Sequence, residues 1–222
     1  MYDAGKFSCW LRRIRKTLMD DRGMKVPCGD CRACCQSSCF IHIYKEETRT
    51  LSRIPKELLF PAPLRPKGHM VLGYDSHGRC PMLIRNTCTI YSNRPATCRS
   101  FDCRILTASG LVTENSAHHG ISQQARRWKF SRPSKNDSRL LSAVQDAAKF
   151  LTHHPLCIED SFVSRDEIHL SVLAIKVYDV FLPSVDFKRT TKRETDESVI
   201  IKKVLRSYEK FQKRCAPLMH EA

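Results

Sequence analysis

The chain has 222 residues, of which 41% are hydrophobic and 27% are charged. These proportions are typical of a globular protein with a buried core, and they exclude a disordered or collagen-like chain. The formal net charge is +15, and no apolar run approaches the roughly 20 residues that a membrane-spanning helix needs. We therefore expect a basic globular protein without a membrane span.

The first 25 residues predict an amphipathic helix, in which basic side chains lie beside an apolar stripe. The apolar residues recur at helical spacing: Phe7, Leu11, Ile14 and Leu18. The segment lacks the apolar core and the small-residue cleavage site of a signal peptide, and its three aspartates argue against a mitochondrial presequence. We therefore expect a cytoplasmic location, where thiols stay reduced.

Twelve cysteines are the most unusual part of the composition, and nine of them lie between residues 28 and 103. Clustered cysteines in a reducing compartment more often bind metal than form disulfides. The first group, at residues 26–40, has the spacing C-x2-C-x2-C-C, whose short gaps let thiolates from one turn reach the same ion. The second group has gaps of seven, nine and four residues. The simplest count is eight thiolates: Cys28, Cys31, Cys34, Cys35, Cys80, Cys88, Cys98 and Cys103.

Eight thiolates can form two four-sulfur sites or one polynuclear site, and the spacing does not say which cysteines share an ion. Thiolate ligands select zinc, or iron in a cluster such as 4Fe–4S. No histidine spacing completes a zinc-finger pattern. Disulfides and reactive free thiols are the alternatives to metal binding.

Between the two cysteine groups, apolar spacing over residues 44–60 predicts a helix. Residues 69–74 and 79–84 flank a turn signal and predict a β-hairpin. After residue 104 helical patterns dominate, notably at 138–152 and 196–214. The predicted fold class is α+β, with a small cysteine-rich metal-binding region that contains a short hairpin and is packed with a mainly helical C-terminal half.

These elements predict three parts. Residues 1–25 are an N-terminal amphipathic helix, residues 26–104 are a metal-chelating domain, and residues 105–222 are a mainly helical region whose role the sequence does not indicate.

The order of the motifs CxxCxxCC, CPxL, CxIY and RPxxCRxFxC resembles the YkgJ-like cysteine-cluster family over about residues 26–104. That family is described as zinc- or iron-chelating, and the flagellin N-methylase lineage is among its relatives. The resemblance implies that the same eight cysteines are the metal ligands. It also implies that five accessory residues belong to the motif: Tyr91, Arg94, Pro95, Arg99 and Phe101.

We expect the accessory residues to have structural roles. Tyr91 reads as a core aromatic residue, whereas Arg94 and Arg99 would hydrogen-bond loop carbonyls or offset thiolate charge. Cys39 does not match the motif, and we interpret it as a small buried residue rather than a spare ligand. The histidines read as surface or packing residues. Three other cysteines read as small hydrophobic residues: Cys9, Cys157 and Cys215.

The sequence therefore favours a cytoplasmic protein that chelates zinc or iron through two groups of thiolates. One alternative is an iron–sulfur-dependent protein-modifying enzyme resembling flagellin lysine N-methylase. Another is a basic nucleic-acid-binding module with structural zinc, because Trp128 and Phe130 interleave the basic patch at residues 126–139. Metal ions are the expected partners, a protein partner is left open, and nucleic acid is the less favoured interpretation of the charge.

Overall fold

The computed structural model describes residues 1–20, 23–24, 26, 28–63, 65–112, 118–154, 166–183 and 197–215, without the side chains of Asp20 and Cys215. About 55% of these residues are helical and about 12% are in strands. This confirms the α+β class with a helical C-terminal half. None of the helices in these ranges is long and apolar enough to span a membrane.

The strands are β1 (Tyr2–Lys6), β2 (Ile41–Ile43), β3 (Leu59–Pro61), β4 (Met70–Leu72), β5 (Leu83–Ile84), β6 (Thr87–Cys88) and β7 (Trp128–Ser131). The helices are α1 (Phe7–Asp20), α2 (Thr48–Leu51), α3 (Ala96–Ser100), α4 (Arg104–Ser109), α5 (His119–Arg126), α6 (Lys135–His153), α7 (Glu167–Val177) and α8 (Glu197–Cys215). Short 3-10 helices lie at Ala33–Gln36, Lys56–Leu58, Tyr91–Asn93 and Tyr178–Phe181.

The chain forms two compact units. The first, here called the helical unit, comprises Met1–Asp20, Arg104–Val112 and Ala125–Glu221. The second, here called the cysteine unit, comprises Asp21–Cys103 and Thr113–Gln124, together with Ala222. All eight predicted ligand cysteines belong to the cysteine unit.

In the helical unit, β1 and β7 pair in parallel, with an irregular register between Asp3 and Gly5. Gly5 has φ +82°, which favours glycine because it has no Cβ. The prediction of a helix from residue 1 is therefore wrong for Tyr2–Lys6, because these residues hydrogen-bond to a strand that is distant in the sequence. The apolar spacing of α1 is confirmed, since Phe7, Leu11 and Ile14 are at most 2% exposed.

The core of the helical unit lies between α6, α7 and α8. Small residues let these helices approach closely, and larger ones fill the space between them. The buried residues of this cluster are Ala147, Ala148, Leu151, Ala174, Val177, Val204 and Tyr208. The predicted helices at 138–152 and 196–214 are both found there, within a few residues of their expected ends.

A buried carboxylate connects α6 to α1. Asp137 forms a capping box with Ser134 at the start of α6, and it also accepts a hydrogen bond from the backbone N–H of Ser8 at 3.0 Å. The hydrogen bonds from Ser134 and Ser8 hold the pKa of Asp137 well below its usual range. The ionised side chain therefore fixes the first turns of two helices.

In the cysteine unit, β4 lies between β2 and β3 in an antiparallel sheet. The predicted pairing of residues 69–74 with 79–84 is wrong, because β4 pairs with both of these other strands. The short hairpin is instead formed by β5 and β6, and it turns at Arg85 and Asn86 with positive φ.

The predicted helix at 44–60 is also wrong over most of its length. Only Thr48–Leu51 is α-helical, and Leu59 already begins β3. Pro55 has no N–H to continue a helix, so the chain passes into a 3-10 turn and then into the sheet. The apolar residues that suggested the helix instead join the core of the sheet. Ile54 is 4% exposed within this core, and Leu51, Leu58 and Leu59 pack against the core from its edge.

Candidate metal centre

The first cysteine group lies in a tight loop that Arg32 holds together. The N–H of Cys31 donates to the carbonyl oxygen of Cys28 at 3.0 Å, and the N–H of Cys35 donates to that of Arg32 at 2.9 Å. The Arg32 guanidinium donates to the carbonyl oxygens of Cys31 at 2.8 Å and Asn86 at 2.9 Å. Because Asn86 lies in the β5–β6 turn, this arginine joins the first cysteine group to the second.

Cys35 is the member of the first group that reaches the second. Its carbonyl oxygen accepts a hydrogen bond from the N–H of Cys80 at 2.8 Å. Cys80 and Cys88 in turn pack against the sheet core formed by Ile43, Ile54, Leu72, Met82 and Ile90. These contacts join the backbone of the first group to that of the second, next to the point where Cys80 and Cys88 pack on the apolar core.

Four thiols form one electrostatic group. Each of the six pairs among Cys35, Cys80, Cys88 and Cys98 interacts by charge when the thiols ionise. All four side chains are half-buried. We call this set the four-thiol group.

The environment of the four-thiol group raises the pKa of each thiol. The hydrogen bond with Cys34, and then burial, raise the pKa of Cys35 far above its ordinary value. Burial, followed by the charges of the other three, raises the pKa of Cys98 from 9.0 to about 12. Burial is also the main reason that the pKa values of Cys80 and Cys88 are raised. Four adjacent thiolates therefore need a cation before they can all lose their protons.

Two arginines supply part of that positive charge. Arg94 lowers the pKa values of Cys35, Cys88 and Cys98, and Arg32 acts on the first two of these. The Arg94 guanidinium lies 4.0 Å from the centre of the Tyr91 ring. Four thiolates around a divalent ion leave a net negative charge, which these arginines would offset.

A single carboxylate positions Cys98. Glu47 accepts hydrogen bonds from the N–H of Ala96 at 2.7 Å and from the N–H of Tyr44 at 3.0 Å. Its carboxylate also lies 3.6 Å from the guanidinium of Arg99. Glu47 thereby fixes the first residue of α3, the short helix that carries Cys98.

The four-thiol group is not a preformed metal site. Within the part of the chain that the structure describes, no three Cys, His, Asp or Glu side chains are arranged to hold a metal ion. The donor set nevertheless fits zinc or iron in number and in chemistry, because both metals take four thiolates. Binding would draw the four sulfurs inward, as is usual where metal binding is coupled to folding.

Comparison with known families gives a result over nearly half of the chain. Residues 27–128 match the CxxCxxCC family. The description of that family is "Putative zinc- or iron-chelating domain". No curated protein and no solved structure matches the chain.

The matched CxxCxxCC domain confirms the resemblance and contains all eight predicted ligands. It also continues beyond residue 104, where the sequence motifs end. The additional residues include Thr113–Gln124, which belong to the cysteine unit.

The other predicted ligands of the CxxCxxCC domain occupy different environments. Cys34 is exposed, and its sulfur lies 4.0 Å from that of Cys35. Cys28 is exposed, Cys31 is half-buried and Cys103 is buried. The structure does not draw these cysteines into the four-thiol group, so their assignment as ligands stays a prediction.

Some residues lie where the sequence did not place them. Tyr91 was expected in the core, but it is 65% exposed. Its ring instead lies against the guanidinium of Arg94. Cys9 is exposed and does not act as a small packing residue. Cys157 and the side chain of Cys215 lie outside the described residues. Arg99 does bond to a loop carbonyl, that of Arg94, at 2.6 Å.

Cys39 has a polar partner that its sequence position gave no reason to expect. Its side chain is half-buried, and the sulfur lies 3.7 Å from Nδ1 of His118. That nitrogen is also 2.9 Å from the carbonyl oxygen of Ser37, and a carbonyl can only accept. His118 Nδ1 therefore carries the proton and cannot take one from the thiol, so this pair lacks the arrangement of a catalytic dyad.

The aromatic residues of the basic patch are not available to nucleic acid bases. Trp128 is 4% exposed and Phe130 is 8% exposed, since both point into the core beside α1. The rings of Trp10 and Phe130 lie 4.7 Å apart. Trp128 and Phe130 are therefore not free to stack on bases, which the nucleic-acid alternative would require.

Proposed function

We propose that the CxxCxxCC domain holds zinc or iron through the thiolates of Cys35, Cys80, Cys88 and Cys98. The observation that carries this proposal is the convergence of these four side chains, which come from both sequence groups, into one electrostatic group. The match of residues 27–128 to a family described as zinc- or iron-chelating supports metal binding in general.

A bound cation would stabilise the half-buried thiols of the four-thiol group in their ionised form. Half-buried thiols with raised pKa values are neutral near pH 7, and they gain little from one another in that state. A metal ion replaces their protons and supplies the positive charge that thiolates need. The affinity should therefore increase with pH, because fewer protons have to be displaced.

The proposal extends to the remaining predicted ligands, Cys28, Cys31, Cys34 and Cys103, as a second set of donors. The sulfur of Cys34 lies 4.0 Å from that of Cys35, which would let Cys34 bind the same ion as Cys35 or bridge the two sets. Sulfurs on one tetrahedral zinc are about 3.8 Å apart when the Zn–S distance is about 2.3 Å. A second zinc or an iron–sulfur cluster such as 4Fe–4S would use these donors.

We also propose a reducing, cytoplasmic location. The ten cysteines whose side chains the structure describes are all free thiols, which is the state that metal binding requires.

The test is the metal content of the full chain after anaerobic purification. We expect zinc or iron in the wild type, and loss of the metal of one site in the variant Cys35→Ser/Cys98→Ser (about one zinc ion, or the irons of one cluster, per chain), because two of four ligands are removed. The control is Cys9→Ser, an exposed thiol of the helical unit, which should keep the full content. Iron with acid-labile sulfide would identify a cluster, whereas a colourless zinc protein would identify a thiolate zinc site.

Circular dichroism of the three proteins distinguishes loss of the site from loss of the fold. A wild type that binds neither metal would overturn the proposal. Full metal content in a folded Cys35→Ser/Cys98→Ser variant would reject the assignment of these ligands.

A further inference from the structure

The helical unit has an open cleft that metal chelation does not involve. Its walls are α1, the start of α6, the 3-10 helix at Tyr178–Phe181 and the second half of α8, and its volume is about 450 Å³. Five basic side chains line it: Arg12, Arg15, Lys16, Lys210 and Arg214. We call it the basic cleft.

The charge of the basic cleft is poorly balanced. Among its described lining residues, Asp179 is the single carboxylate, and it accepts a hydrogen bond from the hydroxyl of Ser207 at 2.8 Å. Five like charges that face one small volume repel one another. Such an arrangement is favourable when an anion occupies that volume.

Arg15 is held in a fixed orientation at the wall of the basic cleft. Its guanidinium carbon lies 4.9 Å from the ring centre of Tyr178 and 5.5 Å from that of Phe211. One terminal nitrogen donates to the carbonyl oxygen of Lys176 at 3.5 Å. A guanidinium fixed in this way loses little entropy when its remaining N–H groups bind an anion.

The favourable interaction of basic residues with helix C-termini does not explain why so many of them line the basic cleft. A basic residue in the last turn of a helix is favourable by itself, and Arg214 occupies such a position in α8. Arg12 and Lys16 are not in the last turn of α1, and Lys210 is not in the last turn of α8. These three exposed side chains come from two helices and meet at one cleft.

We propose that the basic cleft binds a small molecule that carries two or three phosphate groups. Its volume of about 450 Å³ is within the range of about 300–1,000 Å³ that is usual for small-molecule sites. The planar guanidinium groups match the geometry of phosphate oxygens, and the lysines add point charges. This site is independent of the cysteines.

The test measures tripolyphosphate binding to the full chain by calorimetry. The cleft variant is Arg12→Gln/Lys16→Gln/Lys210→Gln. The matched control is Arg13→Gln/Lys202→Gln/Lys203→Gln, which removes the same charges from exposed positions on the same helices outside the cleft. We expect the cleft variant to lose about tenfold or more in affinity and the control to stay within about twofold of the wild type. Any heat from chelation of metal by the probe is common to all three proteins.

Two further probes identify the source of the phosphate. A single-stranded oligouridine and vesicles that contain phosphatidylserine should bind more weakly than tripolyphosphate, and equally to the cleft variant and the control. Equal loss of tripolyphosphate binding in both variants would show a general charge effect and overturn the site. Tighter binding of RNA or vesicles that fails only in the cleft variant would overturn the small-molecule assignment, and so would the absence of tripolyphosphate binding in the wild type.

Discussion

Glu47 illustrates how much of a site can depend on one side chain that does not belong to it. The carboxylate is 11% exposed and accepts hydrogen bonds from two backbone N–H groups. One belongs to Tyr44, directly after β2, and the other to Ala96 at the start of α3. Hydrogen bonds to a charged acceptor are stronger than neutral ones, and the loss of one leaves a buried group without a partner. The orientation of Cys98 is therefore set by a residue that is distant from it in the sequence.

We predict that Glu47→Gln lowers the free energy of unfolding of the cysteine unit by about 1–3 kcal/mol, because the amide accepts with one oxygen only. The metal affinity should fall as well, since α3 loses its anchor. Urea unfolding of the metal-free protein and competition with a chromophoric chelator measure the two effects. Glu46→Gln is the matched control, because that exposed side chain pairs with the exposed Lys45, and it should change stability by less than about 0.5 kcal/mol. Equal effects of the two substitutions would contradict the anchoring role.

At the scale of elements, a pair of histidines crosses the sheet of the cysteine unit. His42 on β2 and His69 beside β4 stack, with Nε2 of His42 3.1 Å from Nδ1 of His69. One of these nitrogens must donate and the other must accept, so the contact requires a neutral ring. Burial, and then the charges of His69 and Arg65, lower the pKa of His42 from 6.5 to about 4.

This shift predicts that the metal-free protein becomes less stable as the pH falls from about 6.5 to about 4. In that range the unfolded state binds a proton at His42 and the folded state does not, so protons favour unfolding. His42→Gln should make the urea midpoint less dependent on pH over this range. His77→Gln, at an exposed turn position, should leave the dependence unchanged. A wild-type midpoint that does not change between these pH values would show that the histidine pair has no such role.

How well the sequence predicts each element depends on how far apart its interacting residues lie along the chain. Periodicity alone predicted α6 and α8, because a helix is specified by neighbours within four residues. It failed for β1, and it gave β4 as a strand but with the wrong partner, because the partners of both strands are not specified by any local pattern. For the site, spacing identified the thiols, but Cys35 joins Cys80, Cys88 and Cys98 only through the fold. Trp128 was assigned to the basic patch for a similar reason. Basic neighbours in the sequence do not show which side chains of a strand point into the core, and Trp128 is buried there.

At the scale of the whole molecule, the two units differ in the size of the buried core that stabilises them. The helical unit is supported by long helices with a continuous buried core. The three-stranded sheet of the cysteine unit has strands of three residues each, the β5–β6 hairpin has strands of two, and the core cluster contains five buried hydrophobic residues. Short strands with a small core give little net stability, so a bound metal would contribute a large share of it.

Removal of the metal should therefore affect the two units differently. We predict that anaerobic chelation increases amide hydrogen exchange about tenfold or more in β2, β4 and α3, while exchange in α6 changes little. Hydrogen-exchange mass spectrometry resolves these segments, and re-addition of zinc or ferrous iron should restore protection. A uniform increase across both units, or none in the cysteine unit, would contradict this expectation.

The parallel pairing of β1 with β7 has a consequence for the order in which the protein is made. The helical unit cannot close until Trp128–Ser131 and the later helices have left the ribosome, although its first strand is synthesised before the cysteine unit. The cysteine unit is complete in the nascent chain by Gln124, apart from Ala222. Because chains fold as they emerge, the thiols can capture their ion during translation, before α6, α7 and α8 have left the ribosome.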